Sequence, residues 1–421
     1  MLLGVIADDF TGATDIAGFL VAGGMRTVQL NGVPKKSITL DTDAIVISLK
    51  SRSCPVEDAE ELSRDSLVYL QEQGCEQIFF KYCSTFDSTA KGNIGPVTDV
   101  LLEELNDNFT ILCPSLPVNG RTVFNGYLFV GDQLLSDSGM RNHPVTPMTD
   151  SSLIHLMEKQ AKGRCGLVSW QVIDKGPAAV QARFTELKEA GFRYAVVDAF
   201  CDKHLETLGE AVKGLPLVTG GSGLAAGIAH ARAGTGVDAE KAREKGLPFI
   251  GEKTVIFSGS CSEMTNKQVA VYAAKAESFA LDVEEIIGEP DACCARVAEW
   301  LTGKLDSLPA PLVFATVPPE KLKEIQAKHG SDNASEAVEQ FFRVLTKKMA
   351  ASGVKNFIVA GGETSGVVAQ SLNIDGFYIG PQIAPGVPWV HSINDTFALA
   401  LKSGNFGDEK FFEHAQEWIN G

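Results

Sequence analysis

The amino-acid sequence predicts an α/β protein made of two domains, each with a mostly parallel sheet, and an active-site cleft between the domains. Short apolar runs alternate with amphipathic or polar segments along the chain, as in repeated β-α-β units. The chain has 421 residues, which exceeds one typical core. Residues 231–253 mix glycine, proline and charge with little apolar periodicity, so we place the boundary there, between a first domain at 1–235 and a second at 250–421.

The predicted elements of the first domain follow from runs of apolar residues and from apolar residues at helical spacing. The first strand, residues 2–7, is apolar throughout, and a turn after it leads into a helix expected to begin near Asp15. The other predicted strands are 27–30, 44–49, 77–81, 109–113, 166–170, 194–198 and 215–219. The helices predicted between them are 56–73, 97–105, 153–162 and 177–190.

A second β-α-β series follows the boundary. Its predicted strands are 255–258, 279–283, 312–316, 357–360, 376–380 and 398–402. Its predicted helices are 266–276, 291–303, 334–351 and 366–372. The rhythm again indicates a mostly parallel sheet.

Composition limits the possible partners. A net charge of −16 argues against nucleic acid or an anionic membrane as a partner, because either would need a clustered basic face. No apolar run reaches the ~20 residues that span a bilayer. The nine cysteines are scattered without a CxxC pair, so we expect reduced thiols, a cytoplasmic location and no protein-bound metal centre. A homo-oligomer is left open.

The first strand ends in two adjacent carboxylates, Asp8 and Asp9, within the segment IADDFTGATD. In open α/β sheets ligands bind outside the carboxyl ends of the strands, so these side chains lie where chemistry is expected. Two like charges repel unless a cation or hydrogen-bond donors accompany them, which favours a polar or metal-bound ligand. The alternative is that one of the two caps the following helix.

Other strand ends of the first domain also carry polar clusters. They supply Lys50, Arg52, Lys81, Ser84, Asp87, Ser88, Thr89, Lys91, Asn93, Gly120, Arg121 and Thr122. Cations in this set would pair with a carboxylate, and its acids and hydroxyls would hold hydroxyl groups. Together they predict a site for a small polyol acid, although each alone is more often an exposed loop residue.

The strand ends of the second domain are rich in glycine and small hydroxyl residues. The segments are SGSCSEMT (258–265), AGGETSG (360–366) and KSGNFG (402–407). Glycine lets the backbone approach a phosphate, and amides at a helix N-terminus complement anionic oxygens, so these loops predict a nucleotide site. Tight turns alone are the alternative. There is no GxxxxGK[ST] motif, which excludes a P-loop kinase.

Residues 220–227, GGSGLAAG, are close to a dinucleotide-binding fingerprint. Their glycine spacing differs by one residue from that fingerprint, and they lie at the end of the first domain instead of at its start. We therefore favour a role in helix packing. Because the fingerprint is only approximate, an NAD-dependent dehydrogenase is kept as an alternative function. A non-catalytic sugar-binding protein is a second alternative.

Eight segments in order along nearly the whole chain resemble the four-carbon acid sugar kinase family. They are IADDFTGATD, KYCSTFDSTAKGNIG, PVNGRTVFNGY, HPVTPMTDSS, GGSGLA, FSGSCSEMTNKQV, AGGETSG and LKSGNFG. The resemblance implies a sugar-acid-binding first domain, a nucleotide-binding second domain and ATP- and Mg²⁺-dependent phosphorylation of the terminal hydroxyl of a four-carbon sugar acid. It is closest to the branch that acts on 3-oxo-tetronates; a threonate or erythronate is the alternative substrate.

The resemblance also implies roles for individual residues. The catalytic residues would be Asp9 and Asp87; the substrate-binding residues Asp8, Arg52, Lys81, Ser88 and Arg121; and the nucleotide-binding residues Ser258, Ala360, Gly361, Gly362, Glu363, Ser403 and Gly404. One departure is Lys91, where much of the family has arginine in DSTLRG, because lysine keeps the charge but not the bidentate fork.

Overall fold

The computed structural model describes residues 2–34, 38, 40–143, 146–233 and 239–420. It divides into two compact units, residues 1–242 and 243–421. Residues 234–238 of the predicted boundary, and residues 144–145 of the HPVTPMTDSS segment, lie outside the described residues. Among the described residues no helix is both long and apolar enough to cross a membrane.

The first unit is built around a parallel sheet. Its strands are β1 (Leu2–Ala7), β2 (Thr27–Asn31), β3 (Ala44–Ser48), β4 (Cys75–Lys81), β5 (Thr110–Cys113), β6 (Arg121–Phe124), β7 (Tyr127–Val130), β8 (Gln133–Leu134), β9 (Arg164–Val168), β10 (Phe192–Val197) and β11 (Leu217–Gly220). Its helices are α1 (Phe10–Ala22), α2 (Val56–Glu72), α3 (Ile94–Glu104), α4 (Leu153–Gln160), α5 (Trp170–Ile173), α6 (Pro177–Glu189), α7 (Asp202–Ala211), α8 (Ser222–Ala233) and α9 (Ala239–Glu244), the last of which runs into the second unit.

The parallel sheet of this unit has the strand order β2-β3-β1-β4-β11-β5-β10-β9. Strands β6, β7 and β8 form a separate antiparallel sheet, which the sequence pattern did not predict. The innermost residues of β1 and β3 are fully or almost fully buried, as expected for strands covered on both faces. The carboxyl ends of β3, β1 and β4 therefore lie side by side at one edge.

Several predicted boundaries in this unit are displaced by two residues or more, and two of them have a local cause that the structure shows. Helix α1 begins at Phe10, not near Asp15, because the side chain of Asp9 accepts a hydrogen bond from the amide of Gly12 and caps the helix there. The strand predicted at 166–170 ends at Val168, and Trp170 opens α5 with its amide bonded to the Asp198 carboxylate.

The second unit is also a sheet with helices. Its strands are β12 (Thr254–Ser258), β13 (Ser278–Ala280), β14 (Leu312–Phe314), β15 (Asn356–Ala360), β16 (Gly376–Ala384), β17 (Val387–Ser392) and β18 (Ala398–Lys402). Its helices are α10 (Glu263–Ala273), α11 (Val283–Gly288), α12 (Pro290–Thr302), α13 (Pro319–His329), α14 (Ser331–Ala351), α15 (Gly362–Ser371) and α16 (Phe411–Asn420).

The strand order in this unit is β13-β14-β12-β15-β18-β17-β16. The pairs from β13 to β18 are parallel, whereas β17 is antiparallel to both of its neighbours. The fully buried Trp389 of β17 packs into the core with Phe411 and Phe412 of α16. Strand β17 has no counterpart among the predicted strands, since its polar ends and proline weaken the apolar run.

The segment 220–227 serves close packing in the first unit. A methyl group added to Gly227 of α8 would lie 2.0 Å from the carbonyl oxygen of Leu205 of α7, and one added to Gly223 would lie 2.3 Å from that of Ser115. Side chains at these positions cannot be accommodated, so the glycines allow α8 to approach its neighbours. The interpretation of this segment as a packing element is confirmed.

Candidate functional site

The first candidate site lies where β3, β1 and β4 end. Ala7 is in register with Ser48 on one side and Lys81 on the other. Asp8 extends this arrangement by one residue, because its amide bonds to the carbonyl of Lys81 and its carbonyl accepts the amides of Ser51 and Arg52. The strand ends thus fix the backbone from which the polar side chains project.

Asp8, Arg52 and Asp9 form one ion-paired group. Nε of Arg52 donates to Oδ2 of Asp8 over 2.9 Å, and Nη2 donates to Oδ1 over 2.7 Å. The same Nη2 lies 3.0 Å from Oδ1 of Asp9. Only 6% of the Asp8 side chain is exposed, against 31% for Asp9. Asp8 is therefore an internal anchor for the guanidinium, whereas Asp9 reaches solvent.

Burial and the ion pair act in opposite directions on these groups. Burial raises the pKa of Asp8 above its ordinary value, and the hydrogen bonds and charge of Arg52 offset part of that rise. Burial also acts to lower the pKa of Arg52, but its bonds to Asp8 together with the negative charges of Asp8 and Asp9 outweigh burial and raise it. Because a guanidinium does not lose its proton in a protein, Arg52 presents a fixed positive charge to Asp8.

Asp9 and Lys81 meet at Gly12. Oδ1 of Asp9 accepts the amide of Gly12 over 2.7 Å, and a methyl group at Gly12 would lie 2.4 Å from that oxygen and 3.0 Å from Nζ of Lys81. Lys81 is buried and donates to the carbonyl of Tyr82 over 2.9 Å. A side chain at this position would displace the ends of Asp9 and Lys81, so glycine suits the start of α1.

Phe86 turns the chain so that Asp87 and Ser88 enter the site. Its φ of 49° is left-handed, which is rare for a bulky residue, and it is fully buried against Tyr82, with ring centroids 5.4 Å apart. Such conformations cost on the order of 1–3 kcal/mol and persist where packing enforces them. One oxygen of Asp87 accepts the hydroxyl of Thr85 over 2.6 Å.

Gln160 at the end of α4 holds Ser88. Its Oε1 accepts the hydroxyl of Ser88 over 2.9 Å, and its Nε2 donates back to the Ser88 carbonyl over 3.2 Å. A methyl group on Gly92 would lie within 1.9 Å of the Ser88 hydroxyl. The loop is therefore closed around Ser88, whereas Lys91, the residue that departs from the family pattern, is exposed.

Asp8, Arg52, Asp87 and Ser88 line one shallow pocket that is open to solvent, whereas the predicted residues Asp9 and Lys81 are not part of its lining. Its lining comprises Asp8, Ser51, Arg52, Phe80, Asp87, Ser88, Asn93, Ile94 and Val97. Asn93 donates to the carbonyls of Ser51 and Cys54, at 2.7 and 3.0 Å, and so fixes the loop that carries Arg52. The predicted substrate residue Arg121 is not part of this lining; it begins β6, where Nη1 donates to the carbonyl of Asn119.

The second candidate site lies in the other unit, where β12, β15 and β18 end. Ser258, Ala360 and Lys402 occupy one row across these adjacent parallel strands. The carbonyl of Ala360 accepts the amide of Gly259 over 3.0 Å, and the carbonyl of Lys402 accepts the amide of Gly361 over 2.9 Å. The three glycine-containing segments thus all begin at the same edge of the sheet.

Glycines let these segments come close together. A methyl group on Gly404 would lie 2.6 Å from the hydroxyl of Ser260 and 2.9 Å from that of Ser262. Gly361 has φ of 128° and its methyl would lie 3.1 Å from the amide nitrogen of Ser260. Ser262 caps α10, and Gly361 directly precedes α15. Two helix N-termini therefore begin at this group of loops, which suits an anion.

The predicted nucleotide-binding residues differ in how exposed to solvent they are. Ser258 is fully buried and its hydroxyl bonds to that of Thr316 over 2.7 Å, and Ala360 is also buried. Glu363 and Ser403 are exposed. Lys402, which the sequence pattern places only as the first residue of the KSGNFG segment, is almost completely buried at this site; the signal for its position is a lysine that ends an apolar strand and precedes a glycine loop.

Comparison with known proteins matches both units. The family model for a "Sugar-binding N-terminal domain" matches residues 3–228, and the model for a "Nucleotide-binding C-terminal domain" matches residues 255–412. The chain belongs to the four-carbon acid sugar kinase family.

Several relatives of this family are similar to the chain over nearly its full length. A Brucella melitensis protein named 3-oxo-tetronate kinase is 58% identical over 100% of this chain and 96% of its own. A Haemophilus influenzae protein of the same name is 58% identical over 99% of both chains. A solved Haemophilus influenzae structure has a TM-score of 0.93 at 57% identity and covers 98% of this chain and 99% of its own. A Salmonella typhimurium structure has a TM-score of 0.92 at 52% identity, covering 99% of both.

Replacing Arg52 with methionine is expected to destabilise the first unit of this family member. The change leaves the buried Asp8 carboxylate without its partner, which costs about 3 kcal/mol. Urea unfolding followed by circular dichroism measures the loss. The double variant Asp8→Asn, Arg52→Met removes the unpaired charge and should recover part of it; equal losses in both variants would contradict the anchoring role of this pair.

Proposed function

We propose that this protein is an ATP-dependent kinase that transfers the γ-phosphoryl group to the C4 hydroxyl of a four-carbon sugar acid, and that the acceptor is a 3-oxo-tetronate. The observation that carries the proposal is full-length similarity to proteins named 3-oxo-tetronate kinase. The local chemistry supports it, since one unit offers paired acids and cations and the other offers glycine loops at two helix N-termini.

The polar side chains of the first unit would bind and activate the acceptor. Nε and Nη2 of Arg52 are engaged, but among the described residues no hydrogen bond to Nη1 is found, so Nη1 can donate to the substrate carboxylate. Lys81 provides a second cation close to Asp9. Oδ2 of Asp9 is left to accept the proton of the attacking hydroxyl, because Oδ1 already binds Gly12 and Arg52.

Asp87 and Ser88 would orient the remaining hydroxyl and oxo groups of the acceptor. Both line the pocket beside Arg52, and Gln160 keeps Ser88 in place. Asp8 lies in the same pocket with both oxygens bound by Arg52, so its contribution would be to hold the guanidinium. Asp87 is the alternative base, since only Oδ1 accepts a protein hydrogen bond among the described contacts.

The glycine loops of the second unit would hold the nucleotide. Of the two amides at the start of α15, that of Gly362 would complement phosphate oxygens, because that of Gly361 is already bonded to the carbonyl of Lys402. Gly404 would allow the third segment to approach. Mg²⁺ usually binds proteins through one or two carboxylates and substrate phosphates. Within the described ranges no cluster of three or more acidic, histidine or cysteine side chains could hold it alone. Glu363, exposed in the first turn of α15, fits as its protein ligand, and the bound ion would neutralise phosphate charge.

Release of ADP from ATP in the presence of a panel of four-carbon acids tests this function. We expect the 3-oxo acids to give a higher kcat/KM than threonate or erythronate, with phosphorus NMR placing the new ester on C4. A preference for the reduced acids would contradict the proposed 3-oxo-tetronate substrate but not the proposed kinase reaction. ADP release that does not depend on any acceptor, or the absence of release, would overturn the kinase function itself.

A further inference from the structure

Lys402 is a buried cation at the nucleotide loops to which the proposed reaction gives no role. It ends β18 and is 1% exposed. Its Nζ donates to the hydroxyl of Thr265 over 3.0 Å and to the carbonyls of Ser403 and Gly404 over 3.1 and 2.9 Å. An ammonium has three N–H donors, so these contacts use all of them.

These bonds join two parts of the site. Thr265 lies in the first turn of α10, and its hydroxyl also donates to the carbonyl of Gly404 over 2.7 Å. Ser262, which caps α10, donates to the same Thr265 hydroxyl over 3.1 Å. Lys402 therefore ties the N-terminus of α10 to the loop that follows β18, and it sets the position of the amides at that loop.

The charge of Lys402 has no acidic partner among the described residues. The ionisable side chains on the surrounding elements are Glu263 and Lys267 on α10, Glu363 on α15, His391 on β17, Asp408, Glu409 and Lys410 before α16, and Glu413, His414 and Glu417 on α16. Glu263 pairs with Lys267, and Glu413 pairs with Lys275. His414 contacts Asp408 and Glu417.

An unpaired buried ammonium is unfavourable until an anion arrives. Burial lowers the pKa of Lys402 to about 8. The N-termini of α10 and α15 add partial positive charge at the same loops. A polyphosphate bound there would supply the missing negative charge and favour the protonated lysine.

We propose that Lys402 is a positioning residue for the polyphosphate of the nucleotide: it holds the α10 and β18 loops together and places a positive charge next to them. It acts through Thr265 and Gly404 instead of touching the ligand, because its donors are already engaged. This inference rests on the proposed ATP-binding function of the second unit.

Proton uptake on ATP binding tests the charge without any substitution. ATP is titrated by calorimetry at pH 8 without acceptor, in buffers of different ionisation enthalpy. Because burial lowers the pKa of Lys402 to about 8, part of the free protein carries a neutral lysine at this pH, and binding should take up a fraction of a proton. Binding of ATP with no proton uptake would overturn the inference, whereas no binding of ATP would overturn the proposed function and the inference with it.

Two variants of Lys402 separate the effect of its charge from the effect of its hydrogen bonds to the two loops. Lys402→Gln keeps amide donors without the charge, and Lys402→Met removes both. We expect each to weaken ATP binding about 10- to 100-fold and to abolish the proton uptake. Lys347→Gln, an exposed lysine on α14, is the matched control and should bind ATP normally.

The melting temperature and circular dichroism of each variant show whether the second unit is folded. A folded Lys402→Gln protein that binds ATP as tightly as the unmodified protein would overturn the inference and leave the proposed function intact. If both variants fail to fold, the proton uptake of the unmodified protein still decides the question.

Discussion

Replacing Asp9 with asparagine is expected to reduce kcat by about 100- to 10,000-fold, the range that a general base contributes. Asparagine caps helices as well as aspartate does, so the bond to the Gly12 amide and the start of α1 should survive. The asparagine has no carboxylate oxygen to accept the proton of the C4 hydroxyl. Steady-state kinetics with saturating ATP and 3-oxo-tetronate measures the loss.

The affinity for ATP is the internal control, because Asp9 lies in the first unit and the glycine loops in the second. It should change by less than about twofold. Asp87→Asn is the matched variant, since Asp87 offers a carboxylate in the pocket that Arg52 also lines. Near-normal turnover of Asp9→Asn together with a large loss in Asp87→Asn would move the base to Asp87.

Replacing Gly362 with valine is expected to weaken ATP binding at least about 100-fold. A methyl group at Gly362 meets no protein atom within 4 Å, and the residue is exposed at the first position of α15. The fold therefore has room for a side chain, but that side chain would occupy the space through which phosphate oxygens reach the helix N-terminus. Calorimetric titration with ATP measures the loss, and sugar-acid binding should stay measurable.

Gly366→Val provides a closely matched control. Gly366 lies one turn further along α15, and a methyl group there also meets no atom within 4 Å. Both variants add the same side chain to the same helix, so a difference in ATP affinity reports the position and not helix propensity. Normal ATP binding by Gly362→Val would place the nucleotide away from this helix start.

Apolar runs were sufficient to predict the strands that carry the candidate sites. Strand β1 and strand β18 have the predicted bounds, because a strand buried on both faces is apolar along its whole length. The polar residues that follow such runs were therefore placed correctly at strand ends, and the structure brings Asp8, Arg52 and Asp87 into one pocket.

The sequence pattern does not reveal contacts between residues that are far apart along the chain. Nothing in the spacing of Asp8 and Arg52 shows that the guanidinium binds both oxygens of that carboxylate, since the two residues meet only through the pairing of β1 with β3. Likewise, the apolar run before Lys402 indicates its position at a strand end but not its burial, because a lysine there is usually exposed. The start of α1 was missed because the capping role of Asp9 competed with its interpretation as a ligand.

The left-handed Phe86 links substrate recognition to the core of the first unit. Glycine would adopt this conformation with less strain, yet the ring of Phe86 is fully buried against Tyr82, so packing fixes the bend that presents Asp87 and Ser88. Substitutions that loosen this aromatic contact would let the loop relax before the unit unfolds. The position of the proposed acceptor-binding residues and the packing of the core are therefore coupled at this one residue.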